Sequence, residues 1–317
     1  MEKQLPTFLG LVLALASGAL GCGDDSAQQP GAVENHEAAL QSPDIAPTGK
    51  GIGTMNKFQN PSGQAGKPGP SNNGILYHGG PVMLGTVNVY YIWYGTWSGN
   101  TATTILTDLA GSLGGSPYYN INTTYSDGVG TKLSNAIVYA GSTNDAYSRG
   151  TSLTDAQIQG VVSDAIASGA LVKDTNGVYF VLTSADVTAS SGFCTQYCGW
   201  HTHGTIVGSD IKYAFIGNPD RCPSACAAQT TGPNGNAGAD GMASIVAHEL
   251  EESASDPDLS AWYDRRGAEN ADKCAWTFGA TYTATNGAKA NMKLGTRDFL
   301  IQQNWVNASG GFCALSF

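Results

Sequence analysis

The chain has 317 residues and a formal net charge of −10. It carries no basic cluster, which makes nucleic acid a poor partner. Charged residues are only 13% of the chain and glycine numbers 42, a balance that fits an exported, loop-rich protein and speaks against a helical bundle.

Residues 1–21 read as a signal peptide. Lys3 is offset by Glu2, and the apolar run over 8–20 is too short to span a bilayer, which needs about 20 apolar residues. The run ends in Ala19-Leu20-Gly21-Cys22, which has the form of a bacterial lipobox, where a peptidase cuts before a diacylated cysteine. This predicts lipidation at Cys22, with membrane contact through that anchor alone; ordinary secretion with cleavage nearby is the alternative. Gly23 is not an acidic retention residue, which points to an outer-membrane lipoprotein facing the periplasm or the cell surface. Residues 22–73 are rich in Gly, Pro, Ser, Asn and Gln, with almost no apolar periodicity, and read as a flexible tether. Residues 74–317 are long enough for one large domain.

With Cys22 assigned to lipid, six cysteines remain: Cys194, Cys198, Cys222, Cys226, Cys274 and Cys313. An even number in an oxidising compartment predicts three disulfides. The two C-x3-C pairs leave a structural zinc site as the alternative. A Cys274–Cys313 bond would tie the tail to the middle of the domain.

Residues 86–94 are β-branched and aromatic, the signature of a central strand. Ile105, Leu106, Leu109 and Leu113 have helical spacing over 101–113, and a second strand is expected at 133–139. A second helix is expected over 152–168, capped by Ser152 and ended by Gly169. Residues 177–183 read as a buried strand. Residues 200–207 and 212–216 read as an antiparallel addition turning at Gly208-Ser209-Asp210. A helix follows over 240–254, then an irregular stretch with strands near Thr281 and 299–306. This order predicts an α/β fold: a mixed sheet with helices, ending in an irregular, disulfide-tied C-terminal part.

The helix over 240–254 carries the chemistry. His248 and Glu252 stand one above the other, as i and i+4 residues do, and can bind one metal ion. The pattern is that of H-E-x-x-H zincins with the second histidine replaced by glutamate. Glu249 falls beside Met242 and Ile245 on the apolar face, where desolvation raises its affinity for a proton and suits it as general base for an attacking water. Catalytic zinc takes three protein ligands. Downstream candidates are Asp256, Asp264, Glu269 and Asp272; upstream are His78, His201 and His203. A site with so many carboxylates leaves calcium or manganese open beside zinc.

Several motifs in one order carry a family resemblance over most of 74–313. They include Tyr77-His78-Gly79-Gly80-Pro81-Val82, Val89-Tyr90-Tyr91-Ile92-Trp93-Tyr94-Gly95, Cys198-Gly199-Trp200-His201 and Asp240-Gly241-Met242. Further along come Ala247-His248-Glu249-Leu250 with Glu252, Ala261-Trp262-Tyr263, Ala271-Asp272 with Cys274, and Phe299-Leu300-Ile301-Gln302. Together they resemble the plant Exordium-like, or phosphate-induced, proteins and their bacterial relatives. The resemblance implies an extracellular, cysteine-bearing protein linked in plants to cell expansion, and the helix motif adds the expectation of a zincin-like domain over 74–317. The family pattern agrees at His248, Glu249, Glu252, Glu269 and Asp272 and differs at Asp256 and Asp264, which narrows the third ligand to Glu269 or Asp272. His201 belongs to a matched motif and is a candidate to bind substrate or stabilise an oxyanion. The leading expectation is a zinc-dependent peptidase-type hydrolase acting on a peptide or a cell-surface polymer. The alternative is a non-catalytic cell-wall binding protein on a degenerate zincin scaffold.

Overall fold

The computed structural model describes residues 44–50, 53–54 and 74–317. The expected signal peptide, the expected lipidation site Cys22 and most of the expected tether lie outside the described residues. Among the described residues no helix is long and apolar enough to cross a membrane.

Five strands form the central sheet: β1 (Val87–Tyr94), β2 (Ile137–Asp145), β3 (Gly177–Thr183), β4 (Gly199–Ile206) and β5 (Ser209–Ile216). Their spatial order is β2-β1-β3-β5-β4. Neighbouring pairs are parallel except β4–β5, so β4 is an antiparallel edge. β1 and β3 are buried along nearly their whole length, as strands covered on both faces must be. Between the strands lie α1 (Ala102–Leu113) and α2 (Asp155–Ala167), and after β5 comes α3 (Ala237–Ser255).

The helices cover both faces. A Cβ on Gly199 would meet Ile245 of α3, whereas one on Gly204 would meet Gln159 of α2. Residues 199 and 204 point to opposite faces of β4, so α2 and α3 lie on opposite sides of the sheet. α1 packs beside α3.

Three elements differ from the sequence reading, each for a local reason. β2 runs to Asp145 instead of ending at 139, with burial alternating along it. It is an edge strand with one solvated face, so its Gly-Ser-Thr-Asn half shows no apolar run. α2 is capped by Thr154, not Ser152: Thr154 and Gln157 form a reciprocal capping box, and Ser152–Leu153 instead pairs with Thr188–Ala189. The β4–β5 turn is Val207-Gly208, both at positive φ, the backbone of a two-residue hairpin turn.

The part of the tether over 44–54 lies against the domain wherever it is described. Pro47, Gly49, Gly53 and Thr54 are buried there. Low apolar content hid this, because the segment is held by backbone pairing and not by an apolar face.

All six late cysteines are oxidised, as Cys194–Cys222, Cys198–Cys226 and Cys274–Cys313. The two C-x3-C pairs therefore bond to each other as a double staple, and the zinc alternative for those thiols falls. Cys274–Cys313 spans a separation of 39 residues and holds the irregular tail, built from short two-strand hairpins, to the turn Asp272–Cys274. Replacing both cysteines by serine is expected to cost about 4 kcal/mol by loop entropy. Chemical denaturation checks this, and an unchanged midpoint would contradict it.

Candidate metal centre

α3 starts where Asn236 caps it, its side chain accepting from the Ala239 amide. From Ala239 to Ser255 only Gly241 is not buried, so the helix passes through the interior and takes its polar residues with it. His248, Glu249, Glu251 and Glu252 are each at most 1% exposed. β4 comes close enough that a Cβ on Gly199 would also meet Glu249 Oε1. Glycine at that position is what lets the edge strand and the helix approach.

His248 and Glu252 meet as the helical spacing predicts, with Nε2 of His248 3.0 Å from Oε1 of Glu252. The short turn after Asn270 brings Asp272 in, its Oδ1 3.4 Å from the same Nε2. The Asp272 amide donates to Glu252 Oε1 at 3.0 Å and orients that carboxylate. On the other side, His201 projects from β4 with Nε2 3.1 Å from Glu269 Oε1 and 3.6 Å from Glu252 Oε2. Glu252 thus faces both imidazoles, one with each oxygen. Two overlapping sets could each hold a cation, His248–Glu252–Asp272 and His201–Glu249–Glu252, the donor atoms of each lying within 4.8 Å of one another.

His248, Glu249, Glu252, Glu269 and Asp272 therefore gather in one cluster. Glu269 and Asp272 take different places, Glu269 against His201 and Asp272 against His248. His201, read from the sequence as a candidate to bind substrate or stabilise an oxyanion, is buried inside the cluster. Its signal was the alternation of β4, which puts residue 201 on the same face as Gly199, toward α3. Asp256 and Asp264 are occupied elsewhere. Asp256 Oδ1 accepts from the Ser260 and Ala261 amides, and Asp264 pairs with Lys273. His78 stacks on Tyr263 and pairs with Asp44, while His203 sits in a salt-bridge network with Asp210 and Lys212.

The electrostatics of the cluster are uncompensated. Glu249, Glu252, Glu269 and Asp272 face two imidazoles, and no Lys or Arg pairs with them among the described residues. Burial pushes the carboxyls of Glu249, Glu252 and Glu269 up, and neighbouring carboxylates add to this. Burial holds His201 down at about 4, so it is neutral. Burial opposes charging His248 as well, yet Glu252, Asp272 and Glu249 outweigh it and hold His248 well above its ordinary value. Many polar atoms have no hydrogen bond: both oxygens of Glu249, both ring nitrogens of His248, Glu252 Oε2 and Asp272 Oδ1. His248 Nε2, Glu252 Oε2 and Asp272 Oδ1 still lie in the ion pairs above, whereas the Glu249 oxygens and His248 Nδ1 have neither contact, and a buried group left so costs about 1–3 kcal/mol. A cation beside them would satisfy several at once, so the donor set fits a metal ion.

Glu251 points elsewhere. It is fully buried with neither oxygen in a normal hydrogen bond. Burial pushes its carboxyl well above the ordinary range, offset only in part by Asn304. The folded state thus binds this proton more tightly than the unfolded chain, and stability falls as pH rises above about 4.5. Glu251→Gln is expected to raise Tm more at pH 8 than at pH 5; equal shifts at both would contradict the assignment.

A small cavity of about 20 Å³ lies one turn earlier along α3, lined by Asp240, Ser244, Ile245, Trp276, Phe278 and Gln302 among others. None of the cluster's residues lines it.

Fold and site define a disulfide-stapled α/β protein with a buried His/carboxylate cluster between α3 and an antiparallel edge strand. The chain belongs to the Exordium-like, or phosphate-induced, protein family: the model "Phosphate-induced protein 1 conserved region" matches residues 75–298. It is similar to Protein EXORDIUM-like 5 of Arabidopsis thaliana, 32% identical over 85% of this chain and 83% of the relative. Protein EXORDIUM-like 3 of the same plant is 33% identical over 73% and 80%. Protein PHOSPHATE-INDUCED 1 of Nicotiana tabacum is 28% identical over 61% and 68%. No solved structure matches the chain.

Proposed function

We propose that this is an exported metalloprotein whose cluster holds one zinc ion between His248, Glu252 and Asp272, serving a peptidase-type hydrolytic site. The observation that supports it is the density of unpartnered donors around Glu252. The buried imidazole of His248 in this set favours zinc over calcium, which takes oxygen ligands. α3 comes after the β4–β5 hairpin whose β4 is the antiparallel edge of the sheet, an arrangement that resembles the setting of the active helix in zincin folds.

A zinc ion there supplies Lewis acidity toward a scissile carbonyl. The remaining roles belong to the chain. Glu249 stands one residue from His248 with both oxygens unengaged, free to take a proton from an attacking water and hand it to the leaving amine. The Asp272 amide fixes Glu252, and Glu269 fixes the ring of His201. Lipidation at Cys22 would hold the protein on the outer membrane, facing a peptide or a cell-surface polymer.

A specific observation favours a second reading, a non-catalytic binding protein on the same scaffold. His201, His248, Glu249, Glu252 and Glu269 are buried and the Asp272 side chain is only 7% exposed, whereas catalytic zinc sites keep an open position. Glu249→Gln separates the two. In the hydrolase, peptide cleavage by the full chain falls at least about 100-fold, the scale of losing a general base, while metal content stays the same. If the wild-type chain holds the metal and cleaves no peptide in a mixed library, the second reading stands.

A further inference from the structure

The described parts of 44–54 run along the free edge of β4. The His201 amide donates to the Gly49 carbonyl at 3.0 Å, and Gly53 forms an antiparallel bridge with Tyr197. The four-residue step from Gly49 to Gly53 matches the four-residue step back from His201 to Tyr197, the register of an antiparallel strand. A strand edge carries unpaired N–H and C=O groups that accept an added strand, and here the chain supplies that strand itself.

The fit is specific at two positions. Gly49 has φ +67, and a Cβ there would run into the His201 carbonyl oxygen. Lys50 then places Nζ 2.6 Å from Asp155 and over the rings of Tyr197 and Trp200, at 5.4 and 5.5 Å. The Trp276 indole donates to the Gly53 carbonyl at 2.7 Å, and Ile45 donates its amide to the Arg265 carbonyl. The strand residue gripped by this segment, His201, is the one whose side chain enters the cluster.

We propose that the β4 edge is a docking groove for an extended peptide bearing glycine opposite His201 followed by a basic residue, and that the segment containing Gly49 and Lys50 is its resident, self-blocking occupant. An incoming peptide of that kind must displace it. The claim rests on backbone pairing and stands whether or not the cluster binds a cation.

Hydrogen exchange of the full-length chain tests it. Gly49→Ala removes the fit by a clash with the His201 backbone carbonyl, and Lys50→Ala loosens the segment with no such clash. In both, exchange of the His201 amide is expected to rise at least about tenfold, the scale of one lost backbone hydrogen bond, with the Ile92 amide in β1 unchanged. Trypsin should cut after Lys50 faster in Gly49→Ala than in the wild type. A synthetic peptide of residues 44–54 should restore protection of His201 in the Gly49→Ala chain, and the same peptide with alanine at position 49 should not. Equal exchange of His201 in wild type and both variants, or equal protection by the two peptides, would overturn the proposal. Because the readout is an amide, loss of the metal reading would leave this result intact.

Discussion

Replacing His248 by alanine is expected to abolish stoichiometric zinc binding. Nε2 of this ring faces both Glu252 and Asp272, at 3.0 and 3.4 Å, so it is the atom the two carboxylates of this donor set share. Residues that merely orient a ligand already contribute 10–100-fold to metal affinity, so loss of a ligand should weaken binding by more than about 100-fold. Competition against a chromogenic chelator measures this. Asp256→Asn, which alters a neighbouring buried carboxyl that holds the loop at Ser260–Ala261, should leave zinc affinity within a few-fold. Equal zinc affinity in wild type and His248→Ala would remove the centre from where it is placed here.

The second large effect is on the pH dependence of stability. Without a cation, the raised carboxyls of Glu249, Glu251, Glu252 and Glu269 bind protons more tightly folded than unfolded. Such groups stabilise the fold below about 4.5 and lose that contribution as pH rises through their folded values. His248, also raised, acts in the same direction at higher pH. His201 acts oppositely: its folded value of about 4 against 6.5 means that stability from this ring grows between those values. One group opposes five, so the metal-free protein should melt at a higher temperature near pH 5 than near pH 8. Binding a divalent cation needs deprotonated ligands, so the loaded protein should show the reverse order. Thermal unfolding with chelator and with zinc at the two pH values checks both halves. A metal-free profile that rises toward pH 8 would contradict the charge assignment.

How much of this could be read from the residues differs from element to element. β1 and β3 were legible because strands buried on both faces have to be apolar, and α1 because its leucines and isoleucine repeat at helical spacing. The polar half of β2 was not, since a solvated edge leaves no periodic mark. Helical geometry alone brought His248, Glu249 and Glu252 together. The places of Glu269, Asp272 and His201 depend on how a turn and an edge strand pack against α3, which no local pattern encodes. The segment over 44–54 escaped for a related reason: Gly49 and Lys50 look like linker residues until the His201 carbonyl and the Asp155 carboxylate are set beside them.

Elemental analysis of the full-length protein, purified without added chelator and dialysed against metal-free buffer, bears most directly on the centre. One zinc per chain is expected, retained through dialysis and removed together with a drop in Tm by a strong chelator. A chain free of zinc, with a Tm unmoved by chelator or by added zinc, would contradict it.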